Sequence, residues 1–299
     1  MNFCVSLLLS LFSNHSTSLV MNIDTMQMNK EILAEFAKQP SGEFAVAFKD
    51  ISTGQEFLIN AHERFHAAST MKTPIMIETF KQAAEGKFRL TDSMLIHNDF
   101  KSIVDGSTYS LDSTEDSEKD IYGLIGKKMA IKDILFKMIT KSSNLSTNLM
   151  VDFVGAKNAN KTMRSLGAKD IQVLRGVEDG KAYDLGLNNT VTAYDLMLIF
   201  EHLANGNVVS KKACDEMIEI LEAQYFRDII PAKLPAGIRT ATKTGSITKI
   251  CHDSGIVFLP GGKKYVVVLL SKGIEDQRRA TEVLASVSKI IYNHVVGDR

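Results

Sequence analysis

The chain has 299 residues, of which 44% are hydrophobic and 23% charged, and its 35 basic residues balance 35 acidic ones. This composition is typical of a globular protein with a substantial core and one or two domains. It argues against nucleic acid or an anionic membrane surface as a partner, because such binding depends on a strongly basic field. A small-molecule enzyme fits better.

The N-terminal segment resembles an export signal. Residues 3–12 form an apolar run that is too short to span a bilayer and has the length of a signal-peptide core. We therefore predict a signal peptide over residues 1–20 and a periplasmic or secreted mature chain with no stable membrane span. No Lys or Arg precedes the run, so a buried N-terminal segment is the alternative, and Met21 is a second possible start.

The next elements predicted are a helix at residues 28–37 and a hairpin with strands at 43–48 and 56–59. Periodicity from Met71 to about Leu203 is mainly helical, which predicts an all-α middle block. Residues 99–120 are polar and acidic and predict a solvated loop. The helices expected in the block cover residues 73–84, 131–140, 145–154, 159–166 and 193–203.

Strands return near the C-terminus at residues 238–244, 254–259 and 265–271, before a final helix at about 276–294. This order predicts an α+β fold: an antiparallel sheet from both ends of the chain, flanked by N- and C-terminal helices, with an inserted all-α domain. The α/β domain would comprise residues 21–68 and 211–299, and the all-α domain residues 69–210. A small-molecule cleft is expected where they meet.

Cysteine and histidine positions indicate neither a disulfide framework nor a metal site. Cys214 and Cys251 have no framework spacing, so we predict two buried free thiols. The 7 histidines are scattered, with no pair at metal-ligand spacing. We therefore expect no metal and no other cofactor.

Ser69-Thr70-Met71-Lys72 places a hydroxyl and an amine one helical turn apart, where an extended stretch gives way to a helix. Residues i and i+3 share a helix face, so Lys72 is expected to reach Ser69 and activate it as a nucleophile. The pattern alone is weak, because residues 246–249 and 286–289 also match it. Its context must therefore decide.

Three further motifs follow this pair in order: Ser142-Ser143-Asn144, Arg175-Gly176-Val177-Glu178 and Lys243-Thr244-Gly245-Ser246. The ordered set resembles the serine β-lactamases of class A and the related penicillin-binding proteins. The resemblance extends from about Phe44 to Val296. It implies a sheet-and-helices fold, a monomer and a small-molecule β-lactam substrate bound at the domain junction.

The resemblance also implies the catalytic roles. Ser69 would be the nucleophile, and the backbone N–H groups of Ser69 and Ser246 would form an oxyanion hole. Lys72 would lie near Lys243, and the two charges should lower the pKa of one amine. Either Lys72 or a carboxylate acting through water would take the proton of Ser69. Ser142 would pass a proton to the leaving nitrogen, with Lys243 beside it.

Substrate recognition is implied at the same cleft. Asn144 is expected to bind the acylamide side chain of the substrate and to hold Lys72. The hydroxyls of Thr244 and Ser246 are expected to bind the substrate carboxylate. The supporting cation would be Arg278 or Arg279 at the start of the last helix, with a surface arginine as the alternative for each.

Glu178 separates two functions. β-Lactamases hydrolyse the serine ester with a water activated by a general base, whereas penicillin-binding proteins mostly lack that base. Glu178 lies in an irregular stretch, up to Asn189, that resembles the family's Ω loop, where Arg175 is expected to pair with Asp184. We therefore predict a class A serine β-lactamase. The alternatives are a penicillin-binding protein or D-alanyl-D-alanine carboxypeptidase, a non-catalytic sensor domain, and an exposed loop carboxylate at Glu178.

The chain also departs from the family pattern. Ser143 replaces an aspartate, and Ser254 stands where many class A enzymes have an arginine. Residues 179–182 replace the usual Pro-x-Leu-Asn after Glu178. The residue that helps to hold the hydrolytic water is therefore expected elsewhere, at Asn188 or Asn189.

Overall fold

Strands from the two ends of the chain form a central antiparallel sheet in the computed structural model, which describes residues 24–39 and 41–297. The strands of the described residues are β1 (Glu43–Asp50), β2 (Glu56–Ile59), β3 (Phe65–His66), β4 (Ser93–Leu95), β5 (Phe100–Lys101), β6 (Thr108–Tyr109), β7 (Lys128–Ala130), β8 (Thr190–Val191), β9 (Arg239–Ile247), β10 (Ile250–Phe258) and β11 (Lys264–Lys272). The sheet has the order β2-β1-β11-β10-β9, and each neighbouring pair is antiparallel.

Helices cover both faces of this sheet. The α-helices of the described residues are α1 (Thr25–Phe36), α2 (Lys72–Ala84), α3 (Ile131–Thr140), α4 (Asn144–Val154), α5 (Ala156–Ser165), α6 (Gly180–Asp184), α7 (Ala193–Ala204), α8 (Lys211–Glu222) and α9 (Gln277–Val296). A short 3-10 helix, Ala68–Met71, directly precedes α2.

Two hydrophobic cores lie on opposite faces of the sheet. Strands β10 and β11 are buried along nearly their whole length, as expected for strands that are covered on both faces. Alternate residues of β11 divide between the cores. Val266, Val268 and Leu270 pack with the middle helices, whereas Tyr265, Val267 and Leu269 pack with α1 and α9.

The predicted α+β class and the antiparallel sheet are confirmed. The predicted helix at residues 131–140 and the predicted strand at residues 56–59 have the observed bounds of α3 and β2, and the other predicted helices and sheet strands are found with shifted ends. The middle block is mainly helical, and the short strands β4 to β7, which pair among its loops and satisfy backbone polar groups there, were not predicted. Helix α8 was not predicted.

The loop at residues 99–120 is not wholly solvated, contrary to prediction. Asp116 is 2% exposed and Glu118 is 7% exposed. Buried carboxylates need hydrogen-bond donors or cations, and both have them: Asp116 accepts backbone N–H groups of α4, and Glu118 lies 2.9 Å from Lys137 Nζ.

Some sequence predictions remain as they were. The predicted signal peptide and Met21 lie outside the described residues, and the domain boundaries stay predictions. The two cysteines of the described chain, Cys214 and Cys251, are free and buried, as predicted. Within residues 24–39 and 41–297, no helix has the length and apolar character needed to cross a membrane.

Candidate active site

Ser69 lies in the 3-10 helix that precedes α2, and Lys72 is the first residue of α2. The backbone turns sharply just before Ser69, since Ala68 has a φ of 45°. Strand β9 packs closely on this turn, because a Cβ on Gly245 would lie 3.1 Å from Ser69 N. A side chain at this position would crowd the turn, so a glycine favours the close approach. The backbones of Ser69 and Ser246 are thereby placed at one cleft, as two oxyanion-hole donors require.

The amines of Lys72 and Lys243 converge on one hydroxyl. Each Nζ lies 3.1 Å from Ser142 Oγ. Lys72 Nζ also donates to Ser142 O at 2.6 Å and to Asn144 Oδ1 at 3.2 Å. In the described chain these acceptors take the hydrogen bonds of Lys72, so the direct bond to Ser69 expected from the i, i+3 spacing is not formed. Ser142 is therefore the polar centre that joins the two lysines.

Burial disfavours the protonated form of both amines. The two side chains are 0% exposed. Burial lowers the pKa of Lys72 to about 7, while the charges of Asp116 and Glu178 act in the opposite direction. Burial and the charge of Lys72 lower the pKa of Lys243 well below its usual value. At neutral pH the pair is thus able to accept a proton.

Asn144 joins Lys72 to Glu178. Its Oδ1 accepts from Lys72, and its Nδ2 donates to Glu178 Oε1 at 2.7 Å. Glu178 has a φ of 62°. Burial raises the pKa of its carboxyl, the bond from Asn144 lowers it, and the charge of Asp116 raises it further. Glu178 and Ser69 line the same cavity of about 340 Å³, which leaves space for a water between them.

The stretch after Glu178 is held by its own polar groups. Arg175 Nε donates to Leu187 O at 2.9 Å, and its Nη2 donates to Asn188 Oδ1 at 3.1 Å. The predicted ion pair of Arg175 with Asp184 is therefore wrong, because these loop acceptors take the guanidinium. Asn189 exchanges hydrogen bonds with the backbone of Arg175 at 3.2 and 3.0 Å. Arg175 thus engages the side-chain oxygens of both asparagines, while Asn189 also lines the cavity that contains Glu178. A role of either asparagine in holding the water stays a prediction.

This stretch contains the short helix α6, which was not predicted. Asp179, next to Glu178, caps α6 by accepting from Ala182 N. Its carboxylate also accepts from Ser102 Oγ and Ile103 N, each at 2.9 Å. The side chain is 1% exposed. Asp179 therefore fastens the segment that carries Glu178 to the loop before β6.

Asp116 holds the N-terminus of α4 and was missed by sequence reasoning. Ser143 caps α4 by accepting from Ser146 N at 3.1 Å. Asp116 Oδ2 accepts from Asn144 N and Leu145 N, each at 2.9 Å. No sequence signal links Asp116 to a motif 28 residues later, because the acidic run around it has the composition of an ordinary solvated loop.

A buried carboxylate behind β9 was also missed. Asp253 is 0% exposed, and its strand neighbour Ser254 lies opposite Lys243. Burial raises the pKa of Asp253 to about 7, and bonds from backbone N–H groups and the charge of Lys243 oppose this rise. Three successive polar residues, 252–254, inside an apolar strand were the available signal.

The cleft brings most predicted site residues together. It has a volume of about 270 Å³, and its lining includes Ser69, Ser142, Asn144, Thr244 and Ser246. Arg278 does not line this cleft: it is exposed on the first turn of α9, at a separate depression with Asp276, Arg279 and Glu282. The predicted carboxylate-binding role of Arg278 therefore has no support, because its side chain lies at that separate depression. The neighbouring Arg279 donates to Lys38 O, just after α1, at 3.3 Å. Among the described residues, no cluster of three or more His, Cys, Asp or Glu side chains is arranged to hold a metal ion.

A family model described as beta-lactamase enzyme family matches residues 27–295 of the chain. The extended-spectrum beta-lactamase PER-1 of Pseudomonas aeruginosa is 22% identical over 250 residues, which cover 80% of this chain and 78% of the relative. The residues that the family model matches thus include the whole cleft.

Solved structures resemble this fold closely. A beta-lactamase from Sphaerobacter thermophilus superposes with a TM-score of 0.78 at 25% identity, over 92% of this chain and 98% of that one. The protein PBP-A superposes with a TM-score of 0.78 at 23% identity, over 91% of this chain and 96% of its own. At that identity the likeness to PBP-A concerns the fold alone.

Proposed function

The chain belongs to the beta-lactamase enzyme family, and on that premise we propose that it is a serine hydrolase of the class A type that opens β-lactam rings. Ser69 forms an acyl-enzyme, and a water activated by Glu178 releases it. The observation that carries the proposal is the convergence of Lys72 and Lys243 on Ser142 Oγ beside Ser69. From there a polar chain of hydrogen bonds runs from Ser142 through Lys72 and Asn144 to Glu178.

Acylation begins when Lys72, in its neutral form, turns from its acceptors Ser142 and Asn144 towards Ser69 and takes the proton of Ser69 Oγ. The oxygen attacks the lactam carbonyl, and the N–H groups of Ser69 and Ser246 stabilise the oxyanion. As the C–N bond breaks, Ser142 gives its proton to the leaving nitrogen and regains one from Lys72, whose Nζ lies 3.1 Å from Ser142 Oγ. Lys243, at the same distance from this hydroxyl, stabilises the charge during the relay.

Deacylation uses the other end of the polar chain. Glu178 removes a proton from a water in the cavity that it shares with Ser69, and the resulting hydroxide attacks the ester carbonyl. The pKa of Glu178 is raised by burial, which makes the carboxylate a stronger base. Asn144 keeps its oxygen aimed inward through the 2.7 Å hydrogen bond.

The test is mass spectrometry of the protein after benzylpenicillin, with wild type and Glu178→Gln side by side. We expect the variant to form the adduct at the wild-type rate and to lose it about 10²–10⁴-fold more slowly, since a general base contributes that much. The control is Asp184→Asn, an exposed carboxyl change in the same segment, which should release the adduct as wild type does. Equal release from Glu178→Gln and wild type would contradict the role of Glu178.

A penicillin-binding protein or D-alanyl-D-alanine carboxypeptidase is the second candidate. It is favoured by the hydrogen bonds that tie the side-chain oxygens of Asn188 and Asn189 to Arg175, because these bonds compete with the binding of a water beside Glu178. In that case a chromogenic cephalosporin would give a burst of one equivalent and then no turnover. An adduct that persists on the wild type as long as on Glu178→Gln would establish this alternative.

A further inference from the structure

The carboxylate of Asp116 is the convergence point of the loop that carries Ser142 and Asn144. Its Oδ2 accepts the backbone N–H groups of Asn144 and Leu145 at 2.9 Å each and faces Ser143 Oγ at 3.3 Å. The side chain is 2% exposed. It lies 28 residues before Asn144, so it joins two segments that are distant in sequence.

The N-terminus of α4 needs such a partner. The first N–H groups of a helix have no acceptor within it, and a carboxylate there is also favoured by the helix dipole. The cap Ser143 satisfies Ser146 N, which leaves Asn144 N and Leu145 N to Asp116. Ser142, immediately before the cap, has a φ of 57°, a conformation that a non-glycine residue keeps when its surroundings enforce it.

Asp116 also contributes charge to the site. Lys72 is surrounded by Ser142 and Asn144 before and within α4, Lys243 on β9, Glu178 on the loop before α6, and Asp116. The charge of Asp116 raises the pKa of Lys72 and that of Glu178, although burial is the largest influence on both. A change at Asp116 therefore reaches both ends of the polar chain.

We propose that Asp116 is a positioning residue for the hydrolysis: its carboxylate clamps the N-terminus of α4 so that Ser142 and Asn144 meet Lys72 and Glu178. This inference rests on the proposed function and deepens it. Asp116 takes the place of the aspartate that Ser143 replaces, from a loop instead of from the motif itself.

The first test compares Asp116→Asn with wild type by measuring the rate of acylation by benzylpenicillin at several values between acid and neutral pH. We expect acylation to slow about tenfold, because a buried N–H loses its acceptor. The acid limb of the pH profile, where the acylation rate falls as the pH decreases, should also move to lower pH. The reason is that the variant lacks a negative charge that raises the pKa of Lys72 and Glu178. A merely structural change would lower the rate without moving this limb.

Glu118→Gln is the matched control, because Glu118 is a buried carboxylate of the same loop that pairs with Lys137 instead of with α4. This variant should leave the position of the acid limb unchanged. An Asp116→Asn enzyme with the wild-type rate and the wild-type pH profile would overturn the proposal.

The second test adds a carboxylate at the cap. Ser143→Asp alone should lower both the melting temperature and the acylation rate, because two carboxylates would then face each other where Ser143 Oγ and Asp116 Oδ2 are 3.3 Å apart. In the Asp116→Asn background the same change should restore both, since aspartate is a favoured N-cap. Losses that simply add in the double variant would refute the clamp. If Asp116→Asn is insoluble, a double variant that is soluble and becomes acylated supports the clamp, and an insoluble double variant refutes it.

The melting temperatures separate this inference from the proposed function. They report the clamp whether or not β-lactams are hydrolysed. A wild type that forms no adduct with benzylpenicillin would contradict the proposed function. If Ser143→Asp nevertheless lowers the melting temperature of the wild type and raises that of Asp116→Asn, residues 116 and 143 both cap the N-terminus of α4.

Discussion

Lys72 and Lys243 lie in a site that cannot hold two positive charges at low cost. Both are fully buried, and both contact Ser142 Oγ. The neighbouring carboxylates, Asp116 and Glu178, offset part of the cost for Lys72. The residues therefore share protons as a group, and the charge state of one affects the others.

A pH profile should report this group. Because the pKa of Lys72 is about 7, its neutral fraction grows as pH rises from about 6 to about 8. We expect the acylation rate to rise over that range, since a protonated amine cannot accept the proton of Ser69. Lys72→Arg, whose guanidinium stays charged, should lower the rate by about 10²–10⁴-fold at every pH.

The matched control for this variant is Lys81→Arg, at a surface ion pair of the same helix, which should behave as wild type. Stopped-flow or quenched mass spectrometry of the adduct gives the rates. An acylation rate that does not change between acid and neutral pH would show that Lys72 is not the base.

At the residue level, the sequence predicted which residues meet at the cleft better than it predicted the hydrogen bonds between them. Ser69, Lys72, Ser142 and Lys243 belong to motifs whose order predicted one cleft, and the structure places them together. The motif spacing wrongly suggested a direct bond from Lys72 to Ser69. That outcome depends on acceptors at the start of α4, whose position is set by tertiary packing.

At the scale of elements, periodicity succeeded where one face of a helix or strand packs on a core. Helix α3 has an apolar stripe and the predicted bounds. Helix α8 carries a comparable stripe, with Cys214, Met217 and Leu221 buried, and an N-cap serine that would have allowed its prediction. The five-residue helix α6 has no such stripe, because the contacts of Asp179 hold it in place.

Deacylation should depend on the attachment of α6. Asp179→Asn weakens the bonds to Ser102 and Ile103, and a buried N–H without its acceptor costs about 1–3 kcal/mol. We expect the acyl-enzyme to survive about tenfold longer, while its formation changes little, because Glu178 adjoins Asp179 and Ser69 does not. The lifetime of the benzylpenicillin adduct measures this effect.

Asp105→Asn is the control for that lifetime. Asp105 pairs with Lys181 of α6 at 2.7 Å but is 47% exposed, and exposed pairs contribute little. It should give the wild-type lifetime. If Asp179→Asn and Asp105→Asn lengthen the lifetime equally, deacylation depends on the general contact between the two loops and not on the buried carboxylate of Asp179.

In the whole molecule, the sheet separates the chemistry from the outer core. The cleft lies mainly between β9 and the middle helices, although Cys251 of the outer core and Thr281 of α9 also line it. The apolar faces of α1 and α9 pack on the opposite face of the sheet. The order of strands and helices along the sequence was sufficient to predict the sheet, since antiparallel pairing of both chain ends buries alternate residues on two faces. Sequence order does not show which loop reaches the cleft, as Asp116 illustrates, because long-range contacts leave no local period.

This separation predicts that stability and catalysis can be changed independently. Ile32 on α1 is 0% exposed in the outer core. Ile32→Ala should lower the free energy of unfolding by about 2–5 kcal/mol through a cavity. The acylation rate and its pH dependence, measured well below the melting temperature, should stay at wild-type values because the sheet stands between. Leu33→Ala, at the neighbouring residue that is 48% exposed, serves as the control and should change the denaturant midpoint only slightly. A slower or pH-shifted acylation in Ile32→Ala would mean that strain in the outer core crosses the sheet to Lys243, and that the two faces form one cooperative unit for catalysis as well as for folding.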